Sequence, residues 1–240
     1  EEAETRLKAS ALLDAIRRPE APSAETAPPV TATPASSGLR ILMVDHQDSF
    51  VHTLASYLRE TGAEVATLRS GFDREALAEE APDLVVLSPG PGLPVDFELS
   101  RTIDNALALG LPIFGVCLGL QGIVEYFGGE LDTLDYPMHG KPSTVIAGDG
   151  ILFEGLPREF TVGRYHSLVA SAPRLPRCLR VTARTHDGTI MAVEHESLPV
   201  SAVQFHPESI LSLDGQVGRA LIRNVANSAL RRTKSTPVNA

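Results

Sequence analysis

From residue 39 onward, apolar and polar positions fall into a strand-then-helix rhythm. Leu39 to Val44 is a short apolar run closed by Asp45, and beyond a polar turn Phe50, Leu54 and Leu58 recur four apart between Ser49 and Glu60. That spacing predicts one buried face of a helix. The same pairing recurs as 64–68 before 74–80, 84–87 before 98–109, and 112–116 before 120–127. Strands apolar on both faces and alternating with helices predict an α/β fold: a parallel-centred mixed sheet with helices on both faces. In such sheets, ligands gather at the carboxyl ends of the strands.

After Gly129 the pattern changes to shorter β-like segments at 161–165, 180–184, 190–194 and 200–205, separated by Gly, Pro and Asp turns. This predicts a partly antiparallel extension. A last helix is expected over 215–230, where Val217, Leu221 and Val225 form an apolar stripe, with a loose tail over 231–240. Upstream, residues 3–17 are rich in helix formers, with Leu12 and Ile16 four apart. Residues 18–38 switch to Pro, Ala, Ser and Thr, which sustain neither helix nor packed sheet. The expected organisation is therefore a short helix at 1–17, a linker at 18–38, a folded domain at 39–230 and a tail at 231–240. A start at Glu1, without methionine, points to a fragment of a longer chain.

Charge and composition narrow the function classes. Twenty-one basic against 30 acidic residues give a formal charge of -9, which disfavours nucleic acid and anionic membranes as partners. The longest apolar run, 106–120, is broken by Gly110, Pro112, Gly115 and Gly119 and falls short of a membrane span. Two cysteines, Cys117 and Cys178, are too few for a disulfide framework and suit a cytoplasmic location. Neither paired Cys/His spacing nor HExxH occurs around His46, His52, His139, His186 or His195, so no metal site is expected.

Candidate chemistry centres on Gly115-Val116-Cys117-Leu118-Gly119-Leu120-Gln121. A cysteine between two glycines where a strand turns into a helix projects from the sheet edge, and the helix N-terminus favours a thiolate. Taken alone, it is equally a packed core cysteine. The second site is Gln204-Phe205-His206-Pro207-Glu208-Ser209, after the apolar run 200–203. On an extended segment, His206 and Glu208 face the same side, so Glu208 can hold one imidazole nitrogen while the other faces a thiol. Together with Cys117 they make nucleophile, base and orienter. The third site, Ser88-Pro89-Gly90-Pro91-Gly92, follows the strand 84–87 and is either a rigid turn or a source of bared backbone amides.

SPGPG, GVCLGLQ, YHSL and FHPES, in this order and spacing, resemble the class I (triad) glutamine amidotransferases, whose fold is flavodoxin-like, and among them the glutaminase component of anthranilate synthase. The resemblance covers 39 to about 230. Asp45-His46-Gln47-Asp48-Ser49-Phe50 adds to it, and a His at position 46 resembles versions fused behind a chorismate-aminating domain. Residues 1–17 resemble the final helix of that upstream domain, with 18–38 as the fusion linker. The resemblance implies Cys117, His206 and Glu208 as the catalytic triad. It further implies oxyanion contacts from the Leu118 amide and the Gly90, Pro91, Gly92 loop, and glutamine contacts from Gln121, Ser167 and Leu168. It places Lys141 near the partner interface, although taken alone that residue reads first as an ordinary solvated lysine, and His166 is read as structural. The expected partners are glutamine and a chorismate-binding synthase domain fused upstream, through which a homo-oligomer can form. No cofactor is expected here; magnesium is expected in the synthase domain. The pathway alternatives are anthranilate, aminodeoxychorismate or phenazine synthesis. A γ-glutamyl hydrolase, an amidotransferase for guanine nucleotide or carbamoyl phosphate synthesis, or a catalytically silent partner-binding module are the other readings.

Overall fold

In the computed structural model the described residues are 38–235. The helix expected at 1–17 and nearly all of the linker expected at 18–38 lie outside them.

Among the described residues, nine strands form one sheet in the order β2-β1-β3-β4-β9-β8-β7-β5-β6. Five are parallel: β2 (Glu64–Arg69), β1 (Arg40–Asp45), β3 (Leu84–Leu87), β4 (Ile113–Val116) and β9 (Val200–Val203). The remaining four, β8 (Ile190–His195), β7 (Leu179–Thr185), β5 (Leu131–Ala147) and β6 (Glu159–Ala170), continue it antiparallel. The pattern predicts this mixed α/β sheet with an antiparallel extension; the parallel strands make up one side of it, and the run at 200–203, expected in the extension, is the parallel β9.

Helices cover both faces because the strand residues point alternately into two cores. Ile41 and Met43 of β1 and Phe114 and Val116 of β4 join one core, together with α1 (Val51–Glu60) and α5 (Val217–Ser235). Leu42 and Val44 of β1 and Ile113 of β4 join the other, with α2 (Arg74–Glu80), α3 (Leu99–Ala108) and α4 (Leu118–Tyr126). Period-two alternation with both faces apolar is what a doubly covered parallel strand requires.

Three differences from the sequence expectation matter. β5 is a 17-residue strand where none was expected: Pro137, Gly140 and Pro142 interrupt its pattern, and its pairing with β6 shifts register at 133/138 and 139/141. Prolines are tolerated at such irregularities. β6 is longer than 161–165, so that it carries residues 166–170 as well. α5 runs to Ser235, through the first half of the expected tail.

β6 also curls back. An antiparallel bridge joins Gly163 to His206, beyond the end of β9. This brings the second half of β6 over the carboxyl ends of β4 and β9.

Candidate active site

Cys117 sits between β4 and α4 with φ 54° and ψ −100°, a left-handed conformation that a non-glycine residue adopts at a cost of about 1–3 kcal/mol. Its N–H donates to the Val203 carbonyl (2.8 Å), which ties the elbow to β9. The flanking glycines are sterically required. A Cβ at Gly115 would lie 2.6 Å from the Gly119 carbonyl carbon, and one at Gly119 would lie 2.6 Å from the Leu87 carbonyl oxygen. Bare backbones therefore let α4 start directly on the sheet, with its positive end behind the sulfur.

His206 and Glu208 meet in a tight turn rather than on the extended segment expected. His206 Nδ1 donates to Glu208 Oε1 at 2.8 Å, with both side chains buried. The turn is braced: His206 N–H donates to the Gly163 carbonyl (3.0 Å), and Ser212 Oγ donates to the His206 carbonyl (2.6 Å). Phe50 and Tyr165 pack edge-on against the imidazole, with centroids 5.0 and 4.9 Å away. Nδ1 is committed to the carboxylate, and Nε2 has no hydrogen-bond partner among the described residues. Burial alone would depress this imidazole, but the Glu208 charge and the neighbouring thiol outweigh it and hold the pKa well above the ordinary 6.5.

A pocket of about 260 Å³ opens at this rim. Of the residues singled out in the sequence, it is lined by Cys117, His206, Gly90, Pro91, Gly92, Gln121, Ser167 and Leu168. Glu208 stands buried behind His206, and the Leu118 side chain is buried beneath the loop. Gly90 is packed so closely on Leu118 and His46 that a Cβ there would overlap both. Gln121 is buried, not a surface glutamine, and its Nε2 donates to the Leu168 carbonyl (3.2 Å). The pocket is smaller than the roughly 300–1,000 Å³ of drug-sized sites and suits a small metabolite.

Sequence reasoning missed four lining residues: Asp48, Phe50, His139 and Tyr165. Asp48 and Phe50 lie within the DHQDSF segment and Tyr165 within YHSL, so their motifs were visible while their roles were not. His139 reaches the pocket only because of β5. His166, read from the sequence as structural, lines the pocket too: its Nδ1 donates to the Leu168 carbonyl (3.0 Å), and its Nε2 accepts from the buried Arg164 Nε (3.1 Å). Lys141 is exposed on β5.

Two other histidines are held neutral. Burial, reinforced by the Arg164 charge, lowers His166 to about 3, and burial lowers His46 to about 4 against its bond from Nδ1 to the Ser88 carbonyl (3.1 Å). Both pKa values lie below the unfolded 6.5, so the unfolded chain binds more protons and stability falls as pH drops from 6.5 toward the folded values. Urea midpoints are expected to fall across pH 6.5–4 by an amount equivalent to a few kcal/mol, since each ten-fold change in proton affinity is worth about 1.4 kcal/mol. His46→Asn should flatten that slope. His206 shifts the other way, so its window lies above pH 6.5.

The chain matches the family model for glutamine amidotransferase class-I over residues 42–224. It is 64% identical to the anthranilate synthase of Azospirillum brasilense over 94% of its own length, but spans only 30% of that relative. It is 41% identical to the aminodeoxychorismate/anthranilate synthase component 2 of Bacillus subtilis over 77% of its own length and 94% of that protein. A glutamine amidotransferase structure from Thermotoga maritima shares the fold, with a TM-score of 0.62 at 18% identity, covering 82% of this chain and 99% of that one. The family match takes in both the cysteine elbow and the His206–Glu208 turn, and it spans well over half of the sequence: the chain belongs to the class-I glutamine amidotransferase family.

Proposed function

We propose that this chain hydrolyses glutamine through Cys117, His206 and Glu208 and passes the ammonia to a chorismate-binding synthase partner in anthranilate synthesis. The observation that carries the proposal is the convergence of an elbow cysteine and a carboxylate-held imidazole in one small pocket. His206 takes the thiol proton at Nε2, and the Cys117 sulfur adds to the side-chain carbonyl of glutamine. The resulting oxyanion is met by the Leu118 N–H and an amide of the Gly90–Gly92 loop. Collapse expels ammonia with the proton from His206. Water, deprotonated by the same imidazole, then cleaves the γ-glutamyl thioester and frees glutamate. Gln121, Ser167 and Leu168 hold the amino-acid end of the substrate.

Ammonia released into water at neutral pH is protonated and no longer nucleophilic, so it has to be delivered through a shielded path. The segments bordering the pocket support a partner seated there: Val95 (71% exposed) follows the SPGPG loop, Tyr136 (80%) lies in β5 near His139, and Ile210 (55%) follows the triad turn. Large apolar side chains exposed around a polar site mark a docking face. The Azospirillum and Bacillus relatives support chorismate as the partner's substrate, and the 30% share of the Azospirillum protein supports fusion. In that arrangement 1–17 closes the synthase domain and 18–38 is the linker.

The test is to measure glutamate and ammonia, expected in equal amounts, with and without the synthase partner and chorismate. Partner and chorismate should raise the rate. Val95→Glu should reduce that stimulation at least ten-fold and leave the basal rate unchanged. A full rate from the chain alone, indifferent to both additions, would refute the coupling.

A further inference from the structure

Gln204 lies outside the triad, yet its side chain reaches the nucleophile. It follows β9, its main-chain N–H donates to the Met191 carbonyl (2.8 Å), and its side chain is fully buried. The carboxamide Nε2 lies 3.6 Å from Cys117 Sγ, within hydrogen-bond reach of sulfur. The carbonyl Oε1 has no partner among the described residues. An orphaned amide oxygen at zero exposure is a cost that a leucine of similar volume would avoid, so the N–H on sulfur has to be worth keeping.

Resting on the glutaminase reading above, we propose that Gln204 is a further catalytic residue whose carboxamide N–H donates to Cys117 Sγ and stabilises the thiolate. Turning the amide over would still leave one atom without a partner and would aim a carbonyl oxygen at an anion. With His206 Nδ1 committed to Glu208, Nε2 is the atom that receives the thiol proton, and sulfur keeps lone pairs for the Gln204 donor. A hydrogen bond to a charged acceptor is stronger than one to a neutral acceptor, so the bond strengthens as the thiolate forms. Titratable groups face this site from several elements: His206 and Glu208 from the turn after β9, His166 from β6, His139 from β5 and Asp48 from the loop after β1. Gln204 adds an uncharged donor, placed within reach of the sulfur.

The test follows alkylation of Cys117 by iodoacetamide across pH, in the whole chain with Cys178→Ser so that one thiol remains. In that reaction the thiolate sulfur displaces iodide. Gln204→Leu should move the midpoint of the rate–pH curve up by about one pH unit, slowing alkylation at low pH about ten-fold while the high-pH plateau holds. Gln204→Met, unbranched and adaptable, should give the same result if leucine is not accommodated. A folded variant with an unmoved midpoint overturns the proposal. If neither variant folds, the Gln204 side-chain amide proton in the intact protein should shift through the thiol's midpoint by NMR; a flat trace overturns the proposal. A parent Cys117 that reacts like free cysteine would sink the glutaminase reading itself, and this proposal with it.

Discussion

Cys117→Ser is expected to lower glutamine hydrolysis by about three to four orders of magnitude and to leave ammonium-dependent amination by the synthase partner intact. The exchange removes the sulfur proposed to react and little else. Serine is nearly isosteric at a position only 5% exposed, and the elbow's backbone is set by the Gly115 and Gly119 contacts rather than by the side chain. A thiol ionises near 8.5 and a hydroxyl only far above that, so the base that activates sulfur leaves an alcohol almost wholly protonated. Glutamate release with saturating glutamine, and product formation with added ammonium salt, separate the two halves of the reaction. Loss of both activities would contradict the division of labour.

Glu208→Gln is expected to reduce turnover by about two to four orders of magnitude with little change in KM, because the carboxylate acts on His206 and does not line the pocket. The amide keeps the volume but removes the charge. Without it, burial dominates the imidazole and its pKa falls, so His206 no longer holds the thiol's proton as imidazolium. An amide that turns its NH2 toward Nδ1 would also force the proton onto Nε2, the atom that has to accept it. A stability consequence carries the opposite sign to that of His46 and His166. A histidine raised in the folded state contributes stability that is present below the unfolded pKa of 6.5 and lost as pH rises through the folded value. Glu208→Gln should remove that contribution and flatten the stability curve above pH 6.5. A variant that changed KM alone would show that Glu208 serves substrate binding and not the imidazole.

Four of the five parallel strands were legible because they are short, apolar and punctuated by polar turns, and each is followed by a helical segment; β9 was not, because its run at 200–203 reads with the β-like segments of the antiparallel extension, whereas it pairs parallel to β4. The antiparallel half was less legible. In β5, Pro137, Gly140 and Pro142 break the alternation that marks a strand, and pairing with β6 along its length and with β7 at its end holds the segment extended. The Cys117 elbow and the His206–Glu208 pair stood out in sequence because the chemistry demands rare residue types at fixed spacing. Their mutual approach was expected from that chemistry, but its structural basis was not, since it lies in β4 and β9 being neighbours and in the bridge between Gly163 and His206. Gln204 has no legible role within its motif: one glutamine after a strand carries no signal until its amide is seen 3.6 Å from sulfur. His139 and Tyr165 lacked a signal for the same reason, as both reach the pocket through the curl of the β5–β6 pair.

Whether Cys117 is the nucleophile that attacks the glutamine side chain is decided by reaction with an electrophilic analogue of glutamine, followed by intact mass and peptide mapping. One adduct per chain is expected, on Cys117, slowed by excess glutamine and absent from Cys117→Ser. Labelling of Cys178 at an equal rate, or an unmodified Cys117 in a folded protein, would contradict it.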